Sequence, residues 1–319
     1  MDYGAINRII KKHKKFLVTT HANPDADAVC SAVAVSLYLK AQGKTVYTIN
    51  SDDVPSWLKF LPKSQMMKKI KKGQKINYDV AFVLDCGDLQ RVGSVLHLID
   101  KTKMLINIDH HVTNKSFGDL NIVLPMASST AEIIYGFLKK IGHRLSRETA
   151  ILFYAGIMTD TGSFRFENTT AYTHQIASEL LKFSFSVPDL YNRLYEGIPV
   201  RDLNDFVDVL SMVKLFNNNQ LACIELTQKD LKRFSGAFDL RDKIFSFLRS
   251  FKGVELIVIF TELGKQKTRV NFRSQSWFNV AKLAGRFGGG GHVRASGSTV
   301  SEPLAVVKNK IISAIAKDL

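Results

Sequence analysis

Three side chains that can bind a cation lie within seven residues near the N-terminus: His21, Asp25 and Asp27. The apolar, β-branched residues 16–20 before them are typical of a short buried strand, and the small apolar residues 28–39 after them are typical of a helix. A loop that joins a strand to a helix in this way lies where open α/β sheets bind their ligands. Because lone-pair donors in one tight turn repel one another unless a cation lies among them, the spacing predicts a metal site.

Further acidic residues follow two apolar segments of strand character. One segment runs directly into Asp85, and the other runs into Asp109, His110 and His111. In a parallel sheet the carboxyl ends of the strands lie along one edge, so residues that are far apart in sequence meet there. We therefore expect these groups to lie beside the His21 loop.

One more carboxylate is expected at the end of a helix. Residues 148–158 have an amphipathic pattern after a predicted Ser146 cap, and Asp160 follows them. Carboxylates and imidazoles in this ratio suit Mn²⁺ or Mg²⁺, and they can hold two ions about 3.5–4 Å apart if one carboxylate bridges them. Asp85 is the natural bridge because the strand beside it carries the His21 loop. A water bound between two such ions loses a proton readily and attacks phosphorus in line.

The elements that position these residues alternate along the first half of the chain. Short apolar strands with helical segments between them predict an α/β fold with a doubly wound, mainly parallel sheet. The predicted strands are residues 16–20, 45–49, 79–84 and 104–108, and the predicted helices are residues 28–39, 129–141, 148–158 and 172–183.

The strand pattern stops between residues 185 and 216, a stretch that contains Pro188, Pro199 and an amphipathic segment over 202–215. We expect a linker and a connecting helix there, followed by a smaller C-terminal α/β domain. Its predicted elements are strands over 221–226, 254–260 and 268–273 and helices over 278–287 and after Pro303. The predicted division is residues 1–188 for the catalytic domain, 189–215 for the linker and connecting helix, and 216–319 for the second domain.

The overall charge is strongly basic, with 44 basic and 29 acidic side chains and a formal charge of +15. This balance favours a polyanionic substrate that approaches a metal centre. Cys30, Cys86 and Cys223 are too widely spaced for a disulfide framework or a zinc knuckle. No apolar run reaches the roughly 18 to 20 residues that span a bilayer. We expect a cytoplasmic protein with no membrane partner and no obligate protein partner, and a homodimer remains an open alternative.

The order of these groups resembles the motifs of the DHH superfamily of phosphoesterases. The residues that carry the resemblance are His21, Pro24, Asp25, Asp27, Asp85, Asp109, His110, His111, Thr159 and Asp160. Near the C-terminus, Arg273 with Ser274 and the glycine-rich residues 288–292 resemble the DHH-associated C-terminal domain. The combination is similar to the stand-alone members that act as oligoribonucleases and as phosphatases of 3′-phosphoadenosine-5′-phosphate (pAp).

The resemblance implies two divalent metal ions, with Mn²⁺ preferred and Mg²⁺ or Co²⁺ as alternatives. One ion would be held by His21, Asp25 and Asp85, and the other by Asp27, Asp85, His110 and Asp160. Asp109 would orient the ligand histidine, and His111 would contact the scissile phosphate or donate a proton. Taken alone, Asp25 and Asp27 would instead be read as caps at the N-terminus of a helix.

The resemblance also implies a substrate-binding role for the second domain and an active-site cleft between the two domains. Arg273 and His292 would grip the terminal phosphate of the substrate, together with Ser274. The backbone of Gly289, Gly290 and Gly291 would approach the same phosphate closely, although four glycines can also form a flexible turn.

The implied function is a phosphodiesterase that degrades very short oligoribonucleotides (nanoRNA) to mononucleotides and removes a phosphate from pAp. Short RNA and nucleotides are the expected partners. An alternative is hydrolysis of cyclic or linear dinucleotides, which the same cleft would accept. Less favoured are a single-strand exonuclease, which is expected to need additional strand-binding domains, and a non-catalytic module that binds nucleic acid.

Overall fold

The computed structural model describes residues 3–316 and 318. The chain forms two compact units, Met1–Tyr191 and Asn192–Leu319. Each unit is built on its own six-stranded sheet. Within the described ranges, none of the helices is both long and apolar enough to span a bilayer.

The first unit contains a parallel sheet with helices between its strands. Its strands are β1 (Lys15–Thr20), β2 (Thr45–Asn50), β3 (Lys68–Lys69), β4 (Val80–Leu84), β5 (Met104–Asp109) and β6 (Leu120–Val123). They pair in the order β3-β2-β1-β4-β5-β6, and each neighbouring pair is parallel. Its α-helices are α1 (Tyr3–Lys12), α2 (Ala26–Ala41), α3 (Thr130–Lys140), α4 (Arg147–Asp160) and α5 (Ala171–Leu181), and 3₁₀ turns lie at Ser56–Leu58, Ser64–Met66 and Leu89–Leu98.

The predicted α/β class and parallel sheet are confirmed. The four predicted strands correspond to β1, β2, β4 and β5 with ends shifted by at most one residue, and the four predicted helices correspond to α2 to α5. The sequence patterns do not predict β3 or β6, because β3 lies in a lysine-rich run and β6 has four residues that include Asn121. Both are edge or near-edge strands that depend on pairing with an established neighbour.

The strand order reverses direction between β1 and β4, which creates a topological switch point. Thr20 and Leu84 are the last paired residues of these two strands and lie opposite each other. The chain therefore continues into His21 on one strand and Asp85 on its neighbour at the same edge. Ligands of open α/β sheets bind in the crevice outside such strand ends.

Helix α2 lies directly behind this edge and is buried on nearly every side. It packs against β1 and β2 and also against α3 and α4. Its small residues, among them Ala28, Ala32 and Ala34, allow this close packing on all faces. The burial explains why α2 shows little amphipathic character and why its first turn is held rigidly at the strand ends.

The second unit contains a mixed sheet. The division between the units falls within α6 (Val187–Tyr195). The elements that follow α6 are a 3₁₀ turn (Val200–Asp202), α7 (Leu203–Ser211), β7 (Lys214–Phe216), β8 (Leu221–Leu226), α8 (Gln228–Arg233), α9 (Leu240–Leu248), β9 (Leu256–Gly264), β10 (Lys267–Ser274), α10 (Val280–Gly285), β11 (Gly290–Gly291), β12 (Ala295–Val300) and α11 (Leu304–Ile315). The strand order is β11-β12-β10-β9-β8-β7, and only β8 and β9 pair in parallel.

Alternate residues of β9 enter two separate cores, one on each face of this sheet. Val258 and Phe260 pack with α10 and α11, whereas Ile257 and Ile259 pack with α9 and its neighbours. This two-sided burial explains the continuous apolar run of β9. The second unit is therefore a sheet covered on both faces, which is consistent with the predicted smaller α/β domain.

Two of the predicted helices in this region are longer than those observed. The amphipathic stretch 202–215 ends as a helix at Ser211, because Lys214–Phe216 pairs as edge strand β7 with β8. The helix predicted over 278–287 is limited to Val280–Gly285, where the Asn279 side chain caps its first turn. The patterns also do not predict β12, since its small and polar residues lack strand character until they pair with β10.

Candidate functional site

The ends of β1, β4 and β5 bring the predicted metal ligands of the first unit together. His21 follows β1, Asp85 follows β4, and Asp109 is the last residue of β5. All three are at least nine-tenths buried. Residues separated by more than 80 positions in the sequence therefore share one edge of the sheet, as the parallel topology requires.

One group of ligand atoms consists of His21, Asp25 and Asp85, whose candidate atoms all lie within 4.8 Å of one another. His21 Nε2 lies 3.6 Å from Asp25 Oδ2 and 3.5 Å from Asp85 Oδ2. His21 Nδ1 donates to the carbonyl oxygen of Ala22 at 2.9 Å, which turns Nε2 toward the carboxylates. Asp25 also caps α2, because its Oδ1 accepts from the Ala28 amide at 3.0 Å. The cap and the contact with His21 use different oxygens of the same side chain.

A second group consists of Asp27, His110 and Asp160. His110 Nε2 lies 3.0 Å from Asp160 Oδ2, and His110 Nδ1 lies 3.3 Å from the carbonyl oxygen of Ala127. The Ala127 carbonyl thus orients the ring, and Nε2 faces the acidic residues. Asp160 is the last residue of α4, two residues beyond the segment that the sequence pattern marks as helical.

Helix α3 directs its N-terminus at Asp27. Asp27 is fully buried, and its two oxygens accept from the Thr130 amide at 2.7 Å and the Ala131 amide at 3.0 Å. Amides at the start of a helix have no partner within the helix and favour a negative charge there. These bonds hold the carboxylate in one orientation while its remaining lone pairs can still bind a cation.

Asp85 lies between the two groups and faces both histidines. Its Oδ2 is 3.5 Å from His21 Nε2, and its Oδ1 is 3.6 Å from His110 Nε2. The hydroxyl of Thr130 donates to Oδ1 at 3.0 Å. Asp85 also has a left-handed backbone with φ of 53°, a conformation that costs a non-glycine residue roughly 1–3 kcal/mol. Strain of this kind is characteristic of residues that the surrounding structure holds in place for function.

Asp109 bonds to His111, the neighbour of the predicted ligand His110. Its Oδ1 lies 2.7 Å from His111 Nδ1, and its Oδ2 accepts from the Asn114 amide group at 2.5 Å. Burial raises the pKa of Asp109, but the charge and hydrogen bond of His111 outweigh burial and hold the pKa below its usual range. Asp109 therefore orients His111, in the arrangement of an Asp–His pair.

The two histidines of the ligand groups are stabilised in their protonated form by the carboxylates around them. Burial alone lowers the pKa of His21, but Asp25 and Asp85 outweigh it and raise the pKa to about 10. Burial is likewise outweighed at His110, where Asp160 is the main partner and the pKa rises to about 10. The field at this edge is thus strongly negative and attracts positive charge of any kind.

Two carboxylates show the same crowding from the opposite side. Burial, followed by the charges of Asp85 and Asp160, raises the pKa of Asp27 well above its usual range. Burial also raises the pKa of Asp160, although His110 partly opposes that shift. Carboxylates this close together need a cation among them to ionise fully. A donor set of carboxylate oxygens and imidazole nitrogens with no thiolate fits hard or borderline divalent ions.

The structure brings together every ligand predicted in the first unit, and their assignment as ligands stays a prediction. It adds Thr130 and Asn114, which sequence reasoning missed as contacts of Asp85 and Asp109. The sequence predicts the helix over 129–141, which Ser129 caps by accepting from the Glu132 amide, but it does not predict that the N-terminus of this helix points at Asp27 and Asp85. Asn114 follows β5 in an irregular loop that carries no recognisable signal.

In the second unit, Arg273 lies near the end of β10 and is half-buried. Its guanidinium carbon lies 4.8 Å from the centre of the Phe245 ring, and its Nη1 donates to the carbonyl oxygen of Phe272 at 3.1 Å. Ser274, by contrast, is 1% exposed and lies on the opposite face of the strand. Because side chains alternate along a strand, the structure does not bring the Ser274 hydroxyl to the surface that carries Arg273.

The glycine-rich segment has a structural reason that differs from the expected one. A side chain at Gly289 would lie 2.2 Å from the carbonyl oxygen of Gly297, and one at Gly291 would lie 2.6 Å from that of Ala295. Gly290 pairs with Gly297, so the segment is an ordered edge strand. These glycines permit close packing on β12, and any approach of a phosphate to their backbone stays a prediction.

His292 follows this strand in a tight turn. Its amide donates to the carbonyl oxygen of Ala295 at 2.8 Å, and its own carbonyl oxygen accepts from the Ser296 hydroxyl at 2.7 Å. Arg294 in the same turn accepts through its carbonyl oxygen from the Ser274 amide at 3.1 Å. The turn is therefore bonded directly to Ser274 at the end of β10, which is the residue next to Arg273.

Comparison with protein-family models matches both parts of the chain. The DHH family, N-terminal domain, matches residues 15–157, which contain all the candidate ligands except Asp160. The DHHA1 domain matches residues 229–318, which contain Arg273 and His292.

Curated relatives match over most of the chain. A protein of Thermus thermophilus named bifunctional oligoribonuclease and PAP phosphatase NrnA is 31% identical over 307 residues, which cover 95% of this chain and 89% of that protein. A Bacillus subtilis protein of the same name is 29% identical over 299 residues, which cover 92% and 91%. Among solved structures, an exopolyphosphatase-related protein from Bacteroides fragilis has a TM-score of 0.86 at 26% identity and covers 99% of this chain and 95% of its own.

Proposed function

Because this chain belongs to the DHH family, whose members are metal-dependent phosphoesterases, we propose that it hydrolyses very short oligoribonucleotides to mononucleotides and removes a phosphate from pAp. The chain is a hydrolase of phosphoester bonds. The observation that carries the finer proposal is Asp85, whose two oxygens face His21 and His110 in two ligand groups. The names of the relatives from Thermus thermophilus and Bacillus subtilis support the substrate class.

Two divalent ions, with Mn²⁺ preferred, are proposed to bind at these groups. His21, Asp25 and Asp85 would hold one ion, and Asp27, Asp85, His110 and Asp160 the other. When bound, the ions would supply an activated water and neutralise charge on the phosphate oxygens. The left-handed backbone of Asp85 and its bond from Thr130 hold the shared carboxylate in position before any ion arrives.

His111 is proposed to donate the proton to the leaving oxygen. Its Nδ1 faces Asp109, so Nε2 lies on the opposite side of the ring, from which the proton would be donated. Asn114 bonds the second oxygen of Asp109 and keeps the pair from rotating. An oriented Asp–His pair is a common general acid and base, and its contribution is typically about 10²- to 10⁴-fold.

In the second unit, Arg273 and His292 are proposed to bind the terminal phosphate of the substrate. Arginine binds phosphate through two parallel hydrogen bonds, and the Phe245 ring supports its guanidinium group from one side. The three cysteines are all free and buried thiols, which supports action in the reducing cytoplasm.

The test is a time course with Mn²⁺ on 5′-labelled RNA dimers, pentamers and strands of about two dozen nucleotides, with pAp and a cyclic dinucleotide in parallel. We expect fast loss of the dimer and of pAp, slow loss of the long strand, and no reaction after chelation. Rapid degradation of the long strand would indicate a processive exonuclease. Preference for the cyclic dinucleotide would replace RNA as the proposed substrate.

A further inference from the structure

Trp277 is a large aromatic side chain that the second unit holds in a loop and leaves open to solvent. It is 54% exposed, in the segment between β10 and α10 that begins two residues after Arg273. Its ring centre lies 5.7 Å from that of Phe278 at an angle of 62°. Phe278 is 5% exposed and belongs to the core of the unit, so the indole rests on a fixed support.

The loop that carries Trp277 is anchored by one buried carboxylate. Glu255 is 6% exposed, and its oxygens accept from the backbone amides of Ser276, Trp277 and Phe278 at 2.8 to 3.2 Å and from the Ser276 hydroxyl at 2.6 Å. An exposed tryptophan on a backbone held this way loses little conformational entropy when it binds a flat partner.

The same loop is bonded to the turn that carries His292. The Val280 amide donates to the carbonyl oxygen of Val293 at 2.9 Å, and Arg294 Nη1 donates to that of Phe278 at 3.3 Å. Trp277 therefore belongs to one hydrogen-bonded assembly with the proposed phosphate-binding residues Arg273 and His292. A cationic phosphate site and an exposed aromatic ring are the two features by which proteins bind single-stranded nucleotides.

We propose that Trp277 is the platform on which a nucleobase of the substrate stacks while Arg273 and His292 bind its phosphate. The inference rests on the proposed function, because it assumes a nucleotide substrate, and it assigns a recognition element for the base. Stacking on an indole accepts any base, so it would support activity on short RNA of varied sequence. Purines, with the larger ring surface, should bind more tightly than pyrimidines.

The direct test uses Trp277 as its own reporter. The chain has two tryptophans, Trp57 and Trp277, so Trp57→Phe leaves Trp277 as the sole indole. The Mn²⁺-loaded variant is titrated with adenosine 5′-monophosphate and separately with ribose 5-phosphate, which has the phosphate but no base. We expect saturable quenching by the nucleotide alone. Equal quenching by both compounds, or by neither, would overturn the proposal.

The kinetic test compares Trp277→Ala with Trp277→Phe and with a matched control. Trp277→Ala should raise KM for an RNA dimer on the order of tenfold with little change in kcat, and Trp277→Phe should restore most of the affinity. Inhibition by ribose 5-phosphate should be unchanged in all variants. Phe251→Ala removes another exposed aromatic ring of the same unit, 49% exposed, and should leave KM unaltered.

The outcomes separate this proposal from the proposed function. If the wild-type enzyme hydrolyses the dimer and the KM of Trp277→Ala is unchanged, the stacking role alone is overturned. A wild-type enzyme with no activity on any short nucleotide would overturn the proposed function, whereas the fluorescence titration would still decide whether Trp277 binds a base. Loss of ribose 5-phosphate inhibition in Trp277→Ala would mean that the residue only supports the loop.

Discussion

The two units position their candidate functional residues by different physical means. In the first unit the residues sit at the ends of adjacent parallel strands, where His21, Asp85 and Asp109 are buried and bonded to fixed neighbours. In the second unit Arg273 lies on strand β10 and is half-buried, and Trp277 lies in the following loop and is 54% exposed. The first arrangement relies on backbone topology, and the second relies on a few side-chain anchors such as Glu255.

This difference indicates how each region should respond to change. A buried, crowded group of charges tolerates almost no substitution, because each removed partner leaves another charge uncompensated. Exposed binding residues can be removed singly, and the rest of the unit keeps its structure. The first unit should therefore govern turnover, and the second unit should govern affinity.

The largest effect is expected from Asp85→Asn. Asparagine tolerates the left-handed backbone and can still accept from Thr130, but it lacks the charge that both ligand groups share. We expect kcat to fall at least roughly 1000-fold and bound Mn²⁺ to decrease, as measured by steady-state kinetics and elemental analysis. Asp100→Asn, at an exposed acid of the same unit, is the control. Near-normal turnover in Asp85→Asn would refute the bridging position.

Asp109→Asn should have the next largest effect. Without the carboxylate, His111 loses the group that sets its orientation. We expect kcat to fall on the order of 100-fold with little change in KM. The kcat of the double variant Asp109→Asn/His111→Ala should be no lower than that of the more impaired single variant, because the pair acts as a unit. Multiplying effects would mean that the two residues act independently.

Arg273→Ala should change affinity and leave turnover nearly intact. Loss of a charged, two-point contact to phosphate is expected to raise KM roughly 10- to 100-fold, with kcat within about threefold. The control is Arg286→Ala, because Arg286 is exposed and pairs with Asp318. A fall in kcat with an unchanged KM would contradict the prediction that the first unit governs turnover and the second unit governs affinity.

Gly156→Ala tests how tightly the first unit is packed behind its acidic edge. An added methyl group would lie 2.8 Å from Asp27 Oδ1 and 2.9 Å from the Ala131 side chain. We expect a loss of about 1–3 kcal/mol in the free energy of unfolding and weaker Mn²⁺ binding. Gly136→Ala, whose nearest neighbours would be 3.5 Å away, should be neutral or slightly stabilising in thermal melts. Similar melting temperatures for both variants would show that the Asp27 side chain moves to make room for the added methyl group.

Glu255→Gln should have the smallest effect. Burial raises the pKa of Glu255, but the bonds from Phe278, Ser276 and Trp277 outweigh it and hold the pKa below its ordinary value. A carboxylate with a depressed folded-state pKa stabilises the fold above its unfolded-state pKa of about 4.3 and loses that effect as the pH falls. Glu255→Gln should therefore lower the free energy of unfolding by about 1 kcal/mol at neutral pH and less near pH 3. A difference that is constant with pH would show that the charge is unimportant.

The candidate site of the first unit could be predicted from sequence because its signals are local. Each ligand follows an apolar strand or ends a helix, and parallel pairing brings all such ends to one edge. The partner of Asp109 could not be predicted, because two adjacent histidines give the same pattern and only the direction of their side chains separates them. The contact of Thr130 with Asp85 could not be predicted for a related reason, because the sequence does not fix the direction of the helix that Thr130 begins.

In the second unit the sequence determined less. A glycine-rich segment next to a histidine indicates close approach, but the pattern does not say whether a ligand or the protein itself approaches. The structure shows that Gly289 and Gly291 allow the chain to pack on β12. Arg273 and Ser274 are adjacent in sequence, yet strand alternation places their side chains on opposite faces.

The sequence by itself determined the fold class, the family and the group of residues that meet at the edge of the parallel sheet. These follow from local periodicity and from strand topology, and neither changes when the end of an element is misplaced by a few residues. Tertiary structure decided the pairing of Asp109 with His111, the aim of α3 at Asp27 and Asp85, and the anchoring of Trp277 by Glu255. Each of these depends on side-chain direction between segments that are distant in sequence or on the choice between adjacent residues, and no local pattern encodes that direction.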